Sequence, residues 1–328
     1  MPPTAEGPVV AVLCEQSSDR PPGLEGLPVE FRYCAADGLA EAVRGARGLM
    51  LWDYFSTAVR DVWSEAGSVE WIHVTAAGVD TLLFDGLRDS DVVVTNARGV
   101  FDRPIAEYVL GAVIAAAKDT RGSLELQRRH EWKHRETRSI AGAKALVVGT
   151  GGIGRATARL LTAAGLEVRG AGRRALPGDP DFGQIVAASN LAAEAAWCDY
   201  LILAAPLTPA TRGVVDAEVL AHLKTDAHLV NVGRGPLVDE GALLTALSQG
   251  ALGGATLDVF ATEPLPPDHP LWEAPNTTVT AHMSGDVIGW RDTLAAQFAD
   301  NVRRWVAGEP LLNVVDKKLG YVPGGGGR

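Results

Sequence analysis

Three cysteines in 328 residues, Cys14, Cys34 and Cys198, are too few and too far apart to staple a fold or build a zinc site. No disulfide framework and no metal are expected. Long apolar runs are also missing. The best, Val109–Ala117, is about half of what a membrane span needs. Positive charge is in short supply: 30 Lys and Arg stand against 40 Asp and Glu, a net charge of −10. That disfavours a nucleic-acid partner, which attracts basic faces. Met1–Gly7 lacks the basic and apolar regions of a signal peptide. Together with the sparse cysteines, this leads to an expected cytoplasmic location with no membrane partner. No internal repeat is visible. The Pro323–Arg328 tail, nearly all glycine, is expected to be disordered.

The length is enough for two domains with full cores, and 47% hydrophobic against 21% charged residues is ordinary for a globular chain. Short apolar runs at Val9–Leu13, Leu49–Trp52, Trp71–Val74 and Val92–Thr95 have strand length, and turn-rich or helical stretches separate them. They predict a small α/β unit with a mostly parallel sheet. A second series runs through Ala145–Val148, Tyr200–Leu203, Leu229–Val232, Thr256–Val259 and Thr278–Thr280. Strands apolar throughout are buried on both faces, as in a doubly wound sheet. Between the series, Pro104 to about Arg129 reads as one long helix, with proline in its first turn. Ala175–Asp181 reads as a surface loop from its turn residues.

The strand at Ala145–Val148 runs into Gly149-Thr-Gly151-Gly152-Ile153-Gly154, a G-x-G-x-x-G loop opening a helical stretch. Gly149 permits the tight turn, Gly151 lets backbone approach a pyrophosphate, and Gly154 lets the helix pack closely. The unpaired amides of the helix start then face the phosphates. After the next strand, Leu166–Ala171, an NAD site usually places an acid. Here Gly172 stands in its place, and Arg173 and Arg174 follow. The missing acid removes repulsion of a 2′-phosphate, and the arginines supply cations for it. NADP is the expected cofactor, with NAD as the alternative.

Three further segments lie at predicted strand ends: Asn231–Glu240 with Arg234, Leu257–Pro266 with Glu263, and Thr280–Gly285 with His282. A cation, a carboxylate and an imidazole suit the reduction of a 2-keto acid. From about Thr75 to Asn313 these motifs, in this order, resemble the D-isomer-specific 2-hydroxyacid dehydrogenase family. The look is closest to its NADP-linked glyoxylate/hydroxypyruvate reductase type.

The resemblance implies two parallel-sheet α/β domains, Rossmann-like and flavodoxin-like. The dinucleotide domain, 98–284, would be inserted into a discontinuous substrate domain, 1–97 and 285–328. It assigns Arg234 to the substrate carboxylate and keto oxygen, His282 to proton transfer and Glu263 to the histidine's partner. Imidazole suits two-way transfer because its ordinary pKa lies near neutrality. The resemblance also assigns Asp258 to the nicotinamide carboxamide, Pro206 and Thr211 to the loop bordering the adenosine, and Val232 to the cofactor site. Ala77 and Gly78 would offer backbone amides to the substrate carboxylate. Ala281 stands where the family usually has proline. Arg98 either lines the cleft or binds the other domain. Trp132 reaches a partner subunit's site or packs at a dimer arm, and Trp290 borders substrate or core. A homodimer is expected, held by the 105–129 helix and its following arm.

The function so implied is hydride transfer between NADP(H) and a small 2-keto or D-2-hydroxy acid, such as glyoxylate or hydroxypyruvate. The competing reading is an NAD(P)-sensing binding protein, like the corepressors that share this fold.

Overall fold

A computed structural model describes residues 7–323. The expectations for the N-terminal leader and for the glycine tail fall mainly on 1–6 and 324–328, outside the described residues. The chain divides into two compact units. One is formed by residues up to Val100 together with those from Val287 on, the other by Phe101–Asp286.

Unit 1 is built on five parallel strands: β1 (Val9–Leu13), β2 (Glu30–Cys34), β3 (Gly48–Leu51), β4 (Trp71–Val74) and β5 (Val93–Asn96), in the order β2-β1-β3-β4-β5. This is the flavodoxin-type order, with its topological switch between β1 and β3. Strands β3 and β4 are buried along their whole length. Their sequences, apolar but for His73, follow from that, because a parallel sheet is covered on both faces. The helix Trp290–Ala307 covers this sheet through Phe298, whose ring lies 5.5 Å from Trp71 and 5.3 Å from His73.

Unit 2 has eight strands: β6 (Lys144–Val148), β7 (Glu167–Gly172), β8 (Leu176–Asp179), β9 (Gly183–Ala187), β10 (Tyr200–Leu203), β11 (His228–Asn231), β12 (Gly254–Leu257) and β13 (Thr277–Val279). Their order is β13-β12-β11-β10-β6-β7-β9-β8, all parallel except β8. Leaving out β8 and β13, this is the Rossmann order, with the switch between β6 and β10. The fold class is α/β with two parallel-dominated sheets, as the apolar runs predict.

Two sequence expectations are corrected. The single helix over 104–129 is two helices, Asp102–Ala117 and Thr120–Arg128. Asp119 between them turns left-handed at φ +47°, and its side chain accepts the N–H of Gly122 at 3.1 Å. Aspartate tolerates that conformation and caps the new helix, so apolar periodicity runs past a break that capping chemistry makes. The Ala175–Asp181 loop contains strand β8. Pro177 and Gly178, read as turn residues, lie on an edge strand, the place in a sheet where proline is tolerated.

Candidate active site

The chemistry-bearing residues of unit 2 lie just past the carboxyl ends of its strands, where open α/β sheets bind ligands. The glycine loop follows β6. Gly149 adopts φ +110°, and a Cβ there would lie 2.6 Å from the backbone of Ala204 and Ala205, which follow β10. A Cβ on Gly154 would lie 1.8 Å from the Gly149 carbonyl oxygen. Gly151, by contrast, is exposed and would meet nothing within 4 Å. Two glycines therefore close the loop on itself and one leaves its outer side open. The helix Gly152–Ala163 begins there with no side-chain cap on its first amides. Ile153 is half-buried in its first turn. This cradle fits a dinucleotide pyrophosphate. Asp102 adds a carboxylate so near Gly152 that a Cβ would sit 2.2 Å from it. Such a charge suits the positive end of a helix.

Gly172 ends β7, with Arg173 and Arg174 exposed just beyond it. A Cβ on Gly172 would lie 3.2 Å from Thr150 and 3.3 Å from Ile185, so the position is closely covered. In the loop after β10, the Thr211 hydroxyl donates to the Pro206 carbonyl at 2.7 Å and accepts the Thr208 N–H at 2.8 Å. Thr211 thus closes the loop that carries Pro206. Val232 is buried beyond β11, its N–H on the Leu203 carbonyl at 3.0 Å.

Arg234 stands on the next turn. Asn231 shapes that turn by accepting the Gly233 N–H at 3.1 Å and donating to the Arg234 carbonyl at 3.0 Å. Gly235 lies directly on the backbone of Phe260, where a Cβ would be 1.8 Å from the Phe260 carbonyl carbon. That contact binds the arginine turn to the segment leading into Glu263. Glu263 Oε1 accepts the Phe260 N–H at 2.8 Å, and Oε2 meets His282 Nδ1 at 2.6 Å. Burial pushes the Glu263 carboxyl up. Hydrogen bonds from His282 and Phe260, with the charges of His282 and Arg234, outweigh it and hold the carboxyl below its ordinary value. Glu263 is therefore a carboxylate at neutral pH, and Arg234 is close enough to contribute to its field. The three residues come together from three separate strand ends.

His282 sits at φ +50°, in the left-handed region that few non-glycine residues occupy. Asp258, just past β12, explains how the turn is held. Its carbonyl accepts the His282 N–H at 2.8 Å. Its fully buried carboxylate accepts the N–H groups of Met283 at 3.0 Å and Ser284 at 2.9 Å, and the Thr280 hydroxyl at 2.5 Å. Tyr108 extends the chain, its hydroxyl 2.6 Å from that of Thr280. Burial raises the Tyr108 phenol to about 12 despite this hydrogen bond, so it stays protonated. The sequence reading missed the link from Tyr108 through Thr280 to Asp258. No local motif signals it, because 150 residues separate Tyr108 from Asp258.

Ala77 and Gly78 belong to unit 1, half-buried in the turn after β4. Asn96 donates to the Ala77 carbonyl at 2.6 Å and fixes that turn. Arg98 donates to the carbonyls of Val322 and Pro323 at 3.4 and 3.0 Å, within unit 1. Trp132 is fully exposed, while Trp290 opens its helix with its ring 6.3 Å from Tyr54. Among the described residues no cluster of three potential metal ligands occurs, and no helix is long and apolar enough to cross a membrane.

Residues 110–284 match the family model of the D-isomer specific 2-hydroxyacid dehydrogenase NAD binding domain. Glyoxylate/hydroxypyruvate reductase A of Serratia proteamaculans is 32% identical over 269 residues, covering 80% of this chain and 84% of that one. Glycerate dehydrogenase of Methylorubrum extorquens is 32% identical over 266 residues, covering 78% and 82%. Among solved structures, a D-isomer specific 2-hydroxyacid dehydrogenase from Xanthobacter autotrophicus, in complex with NADPH and MES, superimposes with a TM-score of 0.81. It is 32% identical, over 97% of this chain and all of that one. The matched domain and these relatives show that the chain belongs to the D-isomer specific 2-hydroxyacid dehydrogenase family, oxidoreductases that act on the CH–OH group of 2-hydroxy acids.

Proposed function

We propose that the protein catalyses NADP-linked interconversion of a small 2-keto acid, such as glyoxylate or hydroxypyruvate, with its D-2-hydroxy acid. The observation that carries this reading is the 2.6 Å pair of Glu263 and His282, with Arg234 contributing to the same electrostatic field. When bound, the nicotinamide supplies the hydride that adds to the keto carbon. Arg234 holds the substrate carboxylate and polarises the keto oxygen, a task suited to a planar, permanently charged fork. With His282 Nδ1 turned to Glu263, Nε2 is the nitrogen that gives a proton to the keto oxygen and, in oxidation, takes it from the hydroxyl. The Glu263 carboxylate fixes the ring's tautomer and orientation.

We keep Asp258 as the contact to the nicotinamide carboxamide and give it a second part. Its carboxylate already accepts two N–H groups and a hydroxyl of the histidine turn, which makes it the anchor of that turn. We assign cofactor contacts to Gly149, Gly151, Gly152, Ile153, Gly154, Arg173, Arg174, Pro206, Thr211 and Val232. Substrate amide contacts fall to Ala77 and Gly78. Support for NADP comes from Gly172 in place of an acid, from the two arginines, and from the NADPH-bound Xanthobacter relative. A cytoplasmic homodimer completes the reading. Three unpaired cysteines favour the first part, and the exposed Ile114, Leu124 and Trp132 favour the second. Steady-state rates with a panel of 2-keto acids and both reduced cofactors test the proposal. The expected result is highest kcat/KM for glyoxylate or hydroxypyruvate with NADPH. Preference for a bulky keto acid, or equal efficiency with NADH, would refute the corresponding half.

A further inference from the structure

Between β7 and β9 the chain makes an excursion. It leaves β7 through Arg173, Arg174 and Ala175, runs out along β8 at the sheet edge, turns, and returns as β9 beside β7. Strand β8 is four residues long and contains Pro177, which has no N–H to donate, and Gly178 at φ +72°. Its register with β9 is irregular between Pro177 and Asp179. Ladder bonds alone hold such an edge strand weakly. The far end of β8 is nevertheless gripped. Arg155, fourth residue of the glycine-loop helix, makes a two-pronged pair with Asp179. Nη1 meets Oδ1 at 3.0 Å and Nη2 meets Oδ2 at 2.9 Å. The same Nη1 reaches Asp181 at 2.8 Å, and Arg159, one turn further along, reaches the other Asp181 oxygen at 3.1 Å.

The grip is well seated. Asp179 is only 5% exposed, and its Oδ1 also accepts the N–H groups of Asp181 and Phe182 at 3.0 and 3.2 Å. The Phe182 ring is buried beneath the Arg155 guanidinium, 5.5 Å from it, and lies against Gly170 of β7, where a Cβ would come within 3.0 Å of the ring. A buried charged pair contributes little net stability, since desolvation offsets most of the attraction, but a two-pronged pair fixes geometry.

We propose that Arg155, Asp179 and Asp181 form a positioning clamp. It holds the Arg173–Arg174 link in register with the glycine-loop helix and so makes the site selective for a 2′-phosphorylated adenosine. Arg155 acts through the link, not on the ligand, because its guanidinium is taken up by the two aspartates. The inference rests on the NADP reading, and Arg155 gains a role there that its place in the glycine motif does not assign.

Binding to the whole protein tests it, with adenosine 2′,5′-bisphosphate and ADP as calorimetric probes. Arg155→Gln should weaken the bisphosphate about tenfold, the scale of one charge-assisted hydrogen bond, and leave ADP within about twofold. Arg155→Lys, which keeps the charge but not the fork, should recover part of the loss. Asp181→Asn, on the outer side of the cluster, should show the same selectivity more weakly, and it serves if Arg155→Gln does not fold. Equal weakening of both probes would reduce the clamp to a merely structural element, and a bisphosphate preference unchanged in Arg155→Gln and Asp181→Asn would overturn it. The Arg173→Gln/Arg174→Gln variant tests the cofactor reading separately. If wild type and this variant both bind the two probes alike, NADP selectivity itself fails and the clamp falls with it.

Discussion

Each sheet carries a histidine within a strand, tied to a threonine hydroxyl on the neighbouring strand. In unit 1, His73 on β4 bonds Thr95 on β5 at 2.8 Å; in unit 2, His228 on β11 bonds Thr256 on β12 at 2.9 Å. Burial pushes the first imidazole down to about 3 and the second to about 4, so both are neutral across the physiological range. His73 is fully buried, and its Nε2 has no hydrogen-bond partner. His282 lies past a strand end, its side chain 29% exposed and paired with a carboxylate. The same side chain is packing inside a sheet and, in the function proposed above, an acid–base group beyond it. The difference is access to a charged partner and to solvent. A central strand of a parallel sheet offers neither, because both its faces are covered.

The strongest way to break this comparison is to replace each histidine by asparagine. His282→Asn should lower kcat by about 10²–10⁴-fold, the usual worth of a positioned acid–base group, with little change in thermal midpoint. His73→Asn should do the reverse, lowering the midpoint and leaving kcat of the folded fraction nearly intact. Parallel turnover and melting measurements decide. If His73→Asn abolished turnover in folded protein, the division between core and site would be wrong.

Arg234→Ala comes next. Loss of a two-pronged contact to a carboxylate should cost about 2–5 kcal/mol in kcat/KM, while the Kd for cofactor stays near wild type. A matching loss of cofactor affinity would place Arg234 in the dinucleotide site instead.

Acid sharpens the comparison from the unit 1 side. The folded-state pKa of His73 lies below its ordinary 6.5, so its contribution to stability is complete above 6.5. Below that pH the unfolded chain takes up a proton that the folded one refuses. Stability then falls by about 1.4 kcal/mol per pH unit until the folded pKa is approached. Urea unfolding between pH 7 and 5 should show this slope added to the similar one that buried His228 contributes. His73→Gln should remove that share of it. An unchanged slope in the variant would mean that His73 does not drive the acid loss.

The smallest effect is expected at Gly172. Gly172→Asp should shift preference from NADPH towards NADH by about tenfold, since a carboxylate repels a 2′-phosphate and accepts ribose hydroxyl bonds. Because a Cβ at this position presses on Thr150 and Ile185, the same change should also cost some stability, part of it recovered by Thr150→Ala. Kinetics with both cofactors, alongside melting curves, separate the two effects.

Local chemistry alone determined much of this protein. Apolar runs announced most of the parallel strands of both sheets, because strands covered on both faces need no polar side, but not β2 and β9, whose polar residues interrupt the pattern. The spacing of Gly149, Gly151 and Gly154 announced the cradle, because each glycine answers a backbone requirement only a few residues wide. Arg234, Glu263 and His282 stood out because each sits in its own short motif, and the fold brings Glu263 and His282 within 2.6 Å. Tertiary structure decided what depends on partners far along the chain. The capping by Asp119 split a helix that periodicity had joined. The grip of Arg155 on Asp179 made an edge strand of a segment whose own residues favour a turn. Asp258 anchors the left-handed turn of His282 by accepting the N–H groups of His282, Met283 and Ser284, a contact that joins two separate strand ends. A buried charge or a strained backbone is tolerated only where distant groups supply the compensating bonds, and their convergence is set by the fold.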